Sequence, residues 1–170
     1  MADVAESIVP PPAADQTDNL TIWWVPSIAD VLAPKVTEIG GTGAFRVTYS
    51  FTNDGWSIAG SQTKTKDERL TLKQPLESLG ATDVALNTLK YVESSQAGSA
   101  NVVLLEGTAG FFVERRGIPN KTLAAAAQKV RVIPAILGAQ LPGPTDGTGK
   151  FTIVQETALT GLLGLPVALV

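Results

Sequence analysis

The chain has 170 residues, with 13 lysines and arginines against 16 aspartates and glutamates, for a net charge of −3. That balance argues against a protein that grips nucleic-acid phosphates through a basic surface. With neither cysteine nor histidine, the chain can build no disulfide framework and no thiolate zinc site, and it lacks the commonest general base.

Charged residues make up 17% of the chain, against about 25% in an average soluble protein. So thin a charge suits a subunit that spends its life against copies of itself, or a secreted β-domain. The length is enough for one domain with a real core.

Residues 1–19 read as a flexible N-terminal arm, marked by Pro10, Pro11 and Pro12 and by polar residues after them. Asp3 and Glu6 stand where a signal peptide would carry basic residues, so a soluble protein made in the cytoplasm is expected. "LTIWWVP" (20–26) reads as a strand stopped by Pro26. In "SIADVLAPKVTEIGG", Pro34 suits the first turn of a short helix and Gly40 its end. "AFRVTYSF" (44–51) alternates, with Phe45, Val47, Tyr49 and Phe51 on one face and Ala44, Arg46, Thr48 and Ser50 on the other, which predicts a half-buried strand.

Asn53-Asp54-Gly55 is turn chemistry. The polar stretch that follows, basic at Lys64 and Lys66, reads as an extended, projecting connection. Residues 69–79 alternate through Leu70 and Leu72, with Pro75 marking an edge or bulge, and residues 82–94 alternate less cleanly. Ser99 can cap a short helix over 100–105, ended by Gly107. Gly110 to Arg116 reads as a strand packed on both faces. Phe111, Val113 and Arg115 share one side, and Phe112, Glu114 and Arg116 the other, so the paired arginines form no single patch. Ala124–Ala127 fits a helical turn or a tightly packed loop. Residues 129–140 form a strand whose ladder Pro134 interrupts, 141–149 a loop and 150–160 the last strand. The apolar end, 158–170, is shorter than the roughly 20 residues a spanning helix needs, and Gly161, Gly164 and Pro166 interrupt it.

Six or seven strands and one or two short helices predict a mostly β fold, a sandwich or barrel. Its parts are the arm (1–19), a β domain (20–160) and an apolar C-terminal extension (161–170).

Motifs that look like chemistry fail on spacing. In "GPTDGTGKF" (143–151) the glycine a phosphate-binding loop requires is Pro144, and Phe151 replaces the hydroxyl that holds magnesium. "GGTGAF" (40–45), like the Gly-Thr-Gly of 147–149, leads into a strand, not the helix a dinucleotide site needs. Asp67 and Glu68 point apart in a strand, and Asp146-Gly147-Thr148 is the wrong order for an aspartic protease. Ser–Lys pairs are unrestricted by spacing, and no serine sits at a sharp-turn motif. No catalytic, cofactor-binding or metal-ligating residue is expected, and no cofactor. Trp23-Trp24 allows three readings: one core ring with the other covered by the neighbouring helix, a ring in a subunit interface, or a carbohydrate platform on an open face.

The order of the pieces carries the resemblance. "VPSIA" at 25–29, Ala33-Pro34, Glu38-Ile39, and then Glu106-Gly107, Gly110, Val113, Arg115 and Gly117 follow in sequence. Over residues 20–160 the chain resembles the major tail tube proteins of long-tailed, siphovirus-type phages, especially those of actinobacteria. The resemblance implies a structural virion protein that self-assembles. Rings, usually of six subunits, stack into the hollow tail tube through which genomic DNA passes without specific binding. It also implies other tail proteins as partners (tape measure, tail terminator, distal tail protein) and synthesis in the host bacterial cytoplasm. Residues 1–19, 52–67 and 161–170 are the candidates for contacts between rings. Two other readings fit a β-rich chain: a carbohydrate-binding module using Trp23, Trp24 and Trp56, and another virion protein such as a head decoration or head–tail completion protein.

Overall fold

A computed structural model describes residues 13–71, 73–144 and 149–170. Residues 1–12 of the arm, Leu72, and 145–148, with Gly147 and Thr148 of the second Gly-Thr-Gly, lie outside them. Among the described residues, nine strands and two four-residue helices follow in chain order: β1 (Leu20–Val25), α1 (Val36–Ile39), β2 (Phe45–Arg46), β3 (Ile58–Asp67), β4 (Leu76–Leu86), β5 (Leu89–Val92), α2 (Ala100–Val103), β6 (Ala109–Arg116), β7 (Lys129–Pro142), β8 (Thr152–Leu159) and β9 (Val167–Ala168). The fold is mostly β, as the sequence predicts. One antiparallel sheet runs β2-β1-β6-β7-β8-β5 with β9 also on β7, and β3 with β4 makes a separate two-stranded ribbon.

The period of two sorts the central strands into two cores. Ile22, Trp24, Phe112, Ile133, Ala135 and Leu137 point to one side, where they meet Leu86, Leu89, Tyr91 and Leu104. Trp23, Val25, Val113, Val130 and Val132 point to the other, where Ile28, Ile39 and Leu169 cover them. A sheet buried on both faces must be apolar at consecutive positions, which is why β1 reads "LTIWWV". The two tryptophans lie back to back across the sheet, each 3% exposed.

The sheet curls into a half-barrel, and residues 45–55 close the curl. Here the sequence reading needs its main correction. Phe45 and Arg46 pair with Trp24 and Trp23, but the strand stops there instead of running to 51. The Thr48 hydroxyl takes the place of a ladder partner, accepting from the Ile22 amide at 2.8 Å. A 3-10 turn over Thr48–Ser50 follows. It delivers Phe51 to the outer edge of β5, where it bridges Tyr91. Val47 and Tyr49 therefore part company: Val47 is fully buried and Tyr49 is 78% exposed.

Three boundaries also move. Lys35 is the N-cap of α1, so Pro34 precedes the helix and does not start it, while Gly40 is the C-cap as expected. Helix α2 stops at Val103, two residues early, with Leu104 as its C-cap. Residues 69–71 and 73–75 form the tip of the β3–β4 ribbon, not a strand, and 82–94 divides between β4 and β5.

Two polar devices hold the curl. At the bulge of β7 between Leu137 and Gln140, Gln155 and Gln140 fan out buried amide donors. Gln155 Nε2 donates to the Leu104 and Gly138 carbonyls, both at 2.9 Å. Gln140 Nε2 donates to Asn101 O, Leu104 O and the Tyr91 hydroxyl. Tyr91 in turn donates to Gln155 Oε1 at 3.0 Å, and burial pushes its phenol up to about 12. At the chain end, β9 pairs with Lys129 and Val130, and Val170 exchanges backbone bonds with Pro34 and Val36.

Candidate assembly surfaces

The arginine pair of β6 serves structure in two different ways. Arg115 is fully buried and no carboxylate faces it. Its guanidinium donates to the carbonyls of Pro119, Thr122 and Leu123, to Gln128 Oε1 and to Thr21 Oγ1, at 2.7–3.2 Å. Only an arginine carries enough donors in a fixed fork to hold so many acceptors. It also lies 5.0 Å from the Trp23 ring centre, while Arg46 lies 5.3 Å from the same ring. Burial, and then the nearby Arg46 charge, lowers its affinity for the proton. The effect is to pin loop 119–128 beneath the sheet, so Ala124–Ala127 is a loop and not a helical turn, with Ala124 against the second core and Ala125, Ala126 and Ala127 exposed.

Arg116 is exposed on the opposite face and reaches back 2.7 Å to the buried carboxylate of Glu114. Glu114 also accepts from Trp56 Nε1 at 3.1 Å and sits 3.8 Å from Arg131. Trp56 stacks within a chain of rings, 5.1 Å from Phe112 and 5.5 Å from Phe51. The tryptophans thus divide between the two cores. Trp23 is covered on its own face by α1, by Arg46 and by Arg115. Neither Trp23 nor Trp24 lies on an open face, so the carbohydrate-platform reading is withdrawn for both.

The glycines of the 106–117 block have physical reasons. A Cβ on Gly110 would lie 2.6 Å from the Trp24 ring and 3.0 Å from Val25 O. Gly117, at φ +75°, turns the chain out of β6 in the left-handed region and donates its amide to Asn19 O.

What remains open is the outside. The outer edge of β5 is occupied from within: Thr52 donates to Lys90 O, and Lys90 donates to Gly55 O. At the other end of the sheet, β2 is only two residues long. The long free edges belong to the β3–β4 ribbon, whose residues are exposed on both faces except near its base at Ile58, Val84 and Leu86. One of its faces starts in the core at the Ile58–Leu86 pair and continues outward through Val84 and Leu79. Leu79 is 69% exposed, with Leu76 and Leu70 also exposed toward the tip. The tip at Asp67–Arg69 carries only a local ion pair. Leu162 and Leu165 stand out on the loop between β8 and β9.

A two-stranded ribbon with no partner on either face is marginal in water, and unpaired edges of this length are ordinarily covered or blunted. A domain this well anchored inside, with so long an arm bare outside, is an assembly subunit. The comparisons name the assembly. The model of the phage tail tube protein family matches residues 10–170, and the chain belongs to that family. No curated protein matches it. The protein is therefore a structural component of the virion tail and not an enzyme; its partners are copies of itself and other tail proteins. No helix among the described residues is long and apolar enough to cross a membrane.

The sequence alone did not reveal the ribbon as a paired arm. Its strands lack the apolar alternation that signals a strand, because neither face is buried within the subunit. The signal available was the hydroxyl-rich, extended composition of 57–66, which supported the projecting segment but not its pairing.

Proposed function

We propose that copies of this chain close edge to edge into a ring, of six subunits as in the resemblance stated above. Rings stack into the hollow tail tube of a long-tailed phage, and the genomic DNA passes through the lumen. The observation that supports this best is the β3–β4 ribbon: a paired, projecting arm that satisfies its own inner ladder and offers two outer edges and leucines to a neighbour. A heterologous contact that closes makes a ring, and a ribbon laid on the next subunit both covers its edges and buries Leu79, on the face that continues the core. A net-negative subunit suits a channel along which phosphates must slide. The arm (1–19) and, in the C-terminal extension (161–170), the exposed Leu162 and Leu165 are the further candidates for contacts between rings, with the tape measure, terminator and distal tail proteins as the tube's other partners.

The test is a variant in which residues 60–84 are replaced by a short two-residue turn. It is expected to fold, since both cores lie outside the segment, and to stay monomeric under conditions that assemble the full chain. Tubes of normal width from this variant would overturn the reading.

A further inference from the structure

An open groove of about 570 Å³ runs beside β2 and the segment 94–99. Arg46, Lys121 and Lys150 face it and, among the described residues, no carboxylate lines it, in a chain whose net charge is −3. Arg46 is already committed, donating to the carbonyls of Asn120 and Thr122. Lys121 and Lys150 make no ion pair or hydrogen bond among the described residues. Glu93 lines the adjoining groove that shares Lys150. Tyr49, 78% exposed, presents its ring in the same groove. A concentration of positive charge with an open aromatic ring calls for an acidic ligand with something flat or extended to lay on the ring.

The chain contains such a ligand. Residues 1–19 carry Asp3, Glu6, Asp15 and Asp18 and no lysine or arginine, and the first basic side chain is Lys35. The same segment has three consecutive prolines, which suit an extended segment crossing a tyrosine ring at little cost in chain entropy. We infer that the basic groove of one subunit binds the acidic N-terminal arm of another copy. This rests on the proposed assembly and adds to it the site, the sign of the charges and the segment that fills it. The described part of a subunit's own arm, residues 13–19, takes another course. Ala14, Asp15 and Gln16 line a separate cavity beside Trp56, Glu114 and Arg116, and no residue of 13–19 lines the groove. Duplex DNA is the other polyanion that the groove could meet, but a built anion trap would hold the genome back, whereas the arm satisfies the same charges without that penalty.

Because the chain has no cysteine, single introduced thiols report contacts cleanly. Full-length E6C and K121C chains are mixed, allowed to assemble and treated with a short bismaleimide. A covalent heterodimer is expected, reduced roughly tenfold or more when the groove also carries K150E. A second arm of the test pairs charge reversals. K121E/K150E should impair assembly and reverse its salt dependence, since salt then screens a repulsion and no longer an attraction, and D3K/E6K on the same chain should restore it. Lys121 and Lys150 have no partner to lose among the described residues, so these variants should keep the wild-type melting temperature. The inference is overturned by wild-type tubes from K121E/K150E, by cross-links found only within single E6C/K121C chains, or by a DNA duplex that binds the assembled wild-type chain and loses that binding in K121E/K150E. If wild-type chains form no rings at all, the assembly reading fails first, and the two failures are thereby told apart.

Discussion

Arg115 shows how much a single buried side chain can fix. It binds acceptors from Thr21 to Gln128 and so ties a loop to the middle of the sheet. Arg115→Lys should destabilise the fold by roughly 2–4 kcal/mol, since buried carbonyls lose charged donors that a lysine cannot replace together; urea unfolding of the variant checks this, and a loss under 0.5 kcal/mol would contradict it. Period-two reasoning placed Arg115 and Arg116 on opposite faces from the sequence. The clamp itself was not legible, because its acceptors are backbone carbonyls of a loop with no recognisable pattern. Glu38 acts at the surface. Its carboxylate accepts from the Lys35 amide at 2.8 Å and the Ala29 amide at 3.0 Å, and those two bonds, in that order, lower its pKa. A depressed carboxylate stabilises the fold above its unfolded pKa, and that contribution is lost as pH falls through the folded value. Glu38→Gln should therefore lower the melting temperature at pH 7, and the gap to wild type should close as the pH is taken well below 4. A pH-independent gap would refute the assignment.

At the scale of elements, the chain end works as a clasp. Leu169 is buried among Trp23, Val113 and Val130, and Val167 and Ala168 pair with β7. Removing 167–170 should cost about 2–4 kcal/mol, in the range for emptying a leucine site in a core, and should expose the amides of 127–130 to hydrogen exchange. Unchanged protection there would show that the clasp is dispensable. This element was missed in the sequence because two residues after a Gly-Leu-Pro stretch give no periodicity to read. The error at 44–51 had the opposite cause. The alternation was real, but the Thr48 hydroxyl and the demand for Phe51 at Tyr91 outweighed it, which is tertiary context overriding a local pattern. Pairing of β3 with β4 was invisible for a third reason, since solvent lies on both sides of the ribbon until a neighbour covers it.

At the scale of the whole molecule, inside and outside follow different rules. The two cores and their polar clamps are built within one chain, and the ordered motifs that suggested the family turn out to be their parts: Gly110 under Trp24, Val113 in the second core, Arg115 in the clamp, Gly117 at the turn. The ribbon, the basic groove and the exposed leucines have no such internal answer, and copies of the chain are the natural one. Electron microscopy of the purified full-length protein after assembly tests this most directly. The account predicts stacked rings with an open lumen in which density for the β3–β4 ribbon lies on a neighbouring subunit. A solid filament without a hole, or rings in which the ribbon folds back on its own domain and touches no other copy, would contradict it.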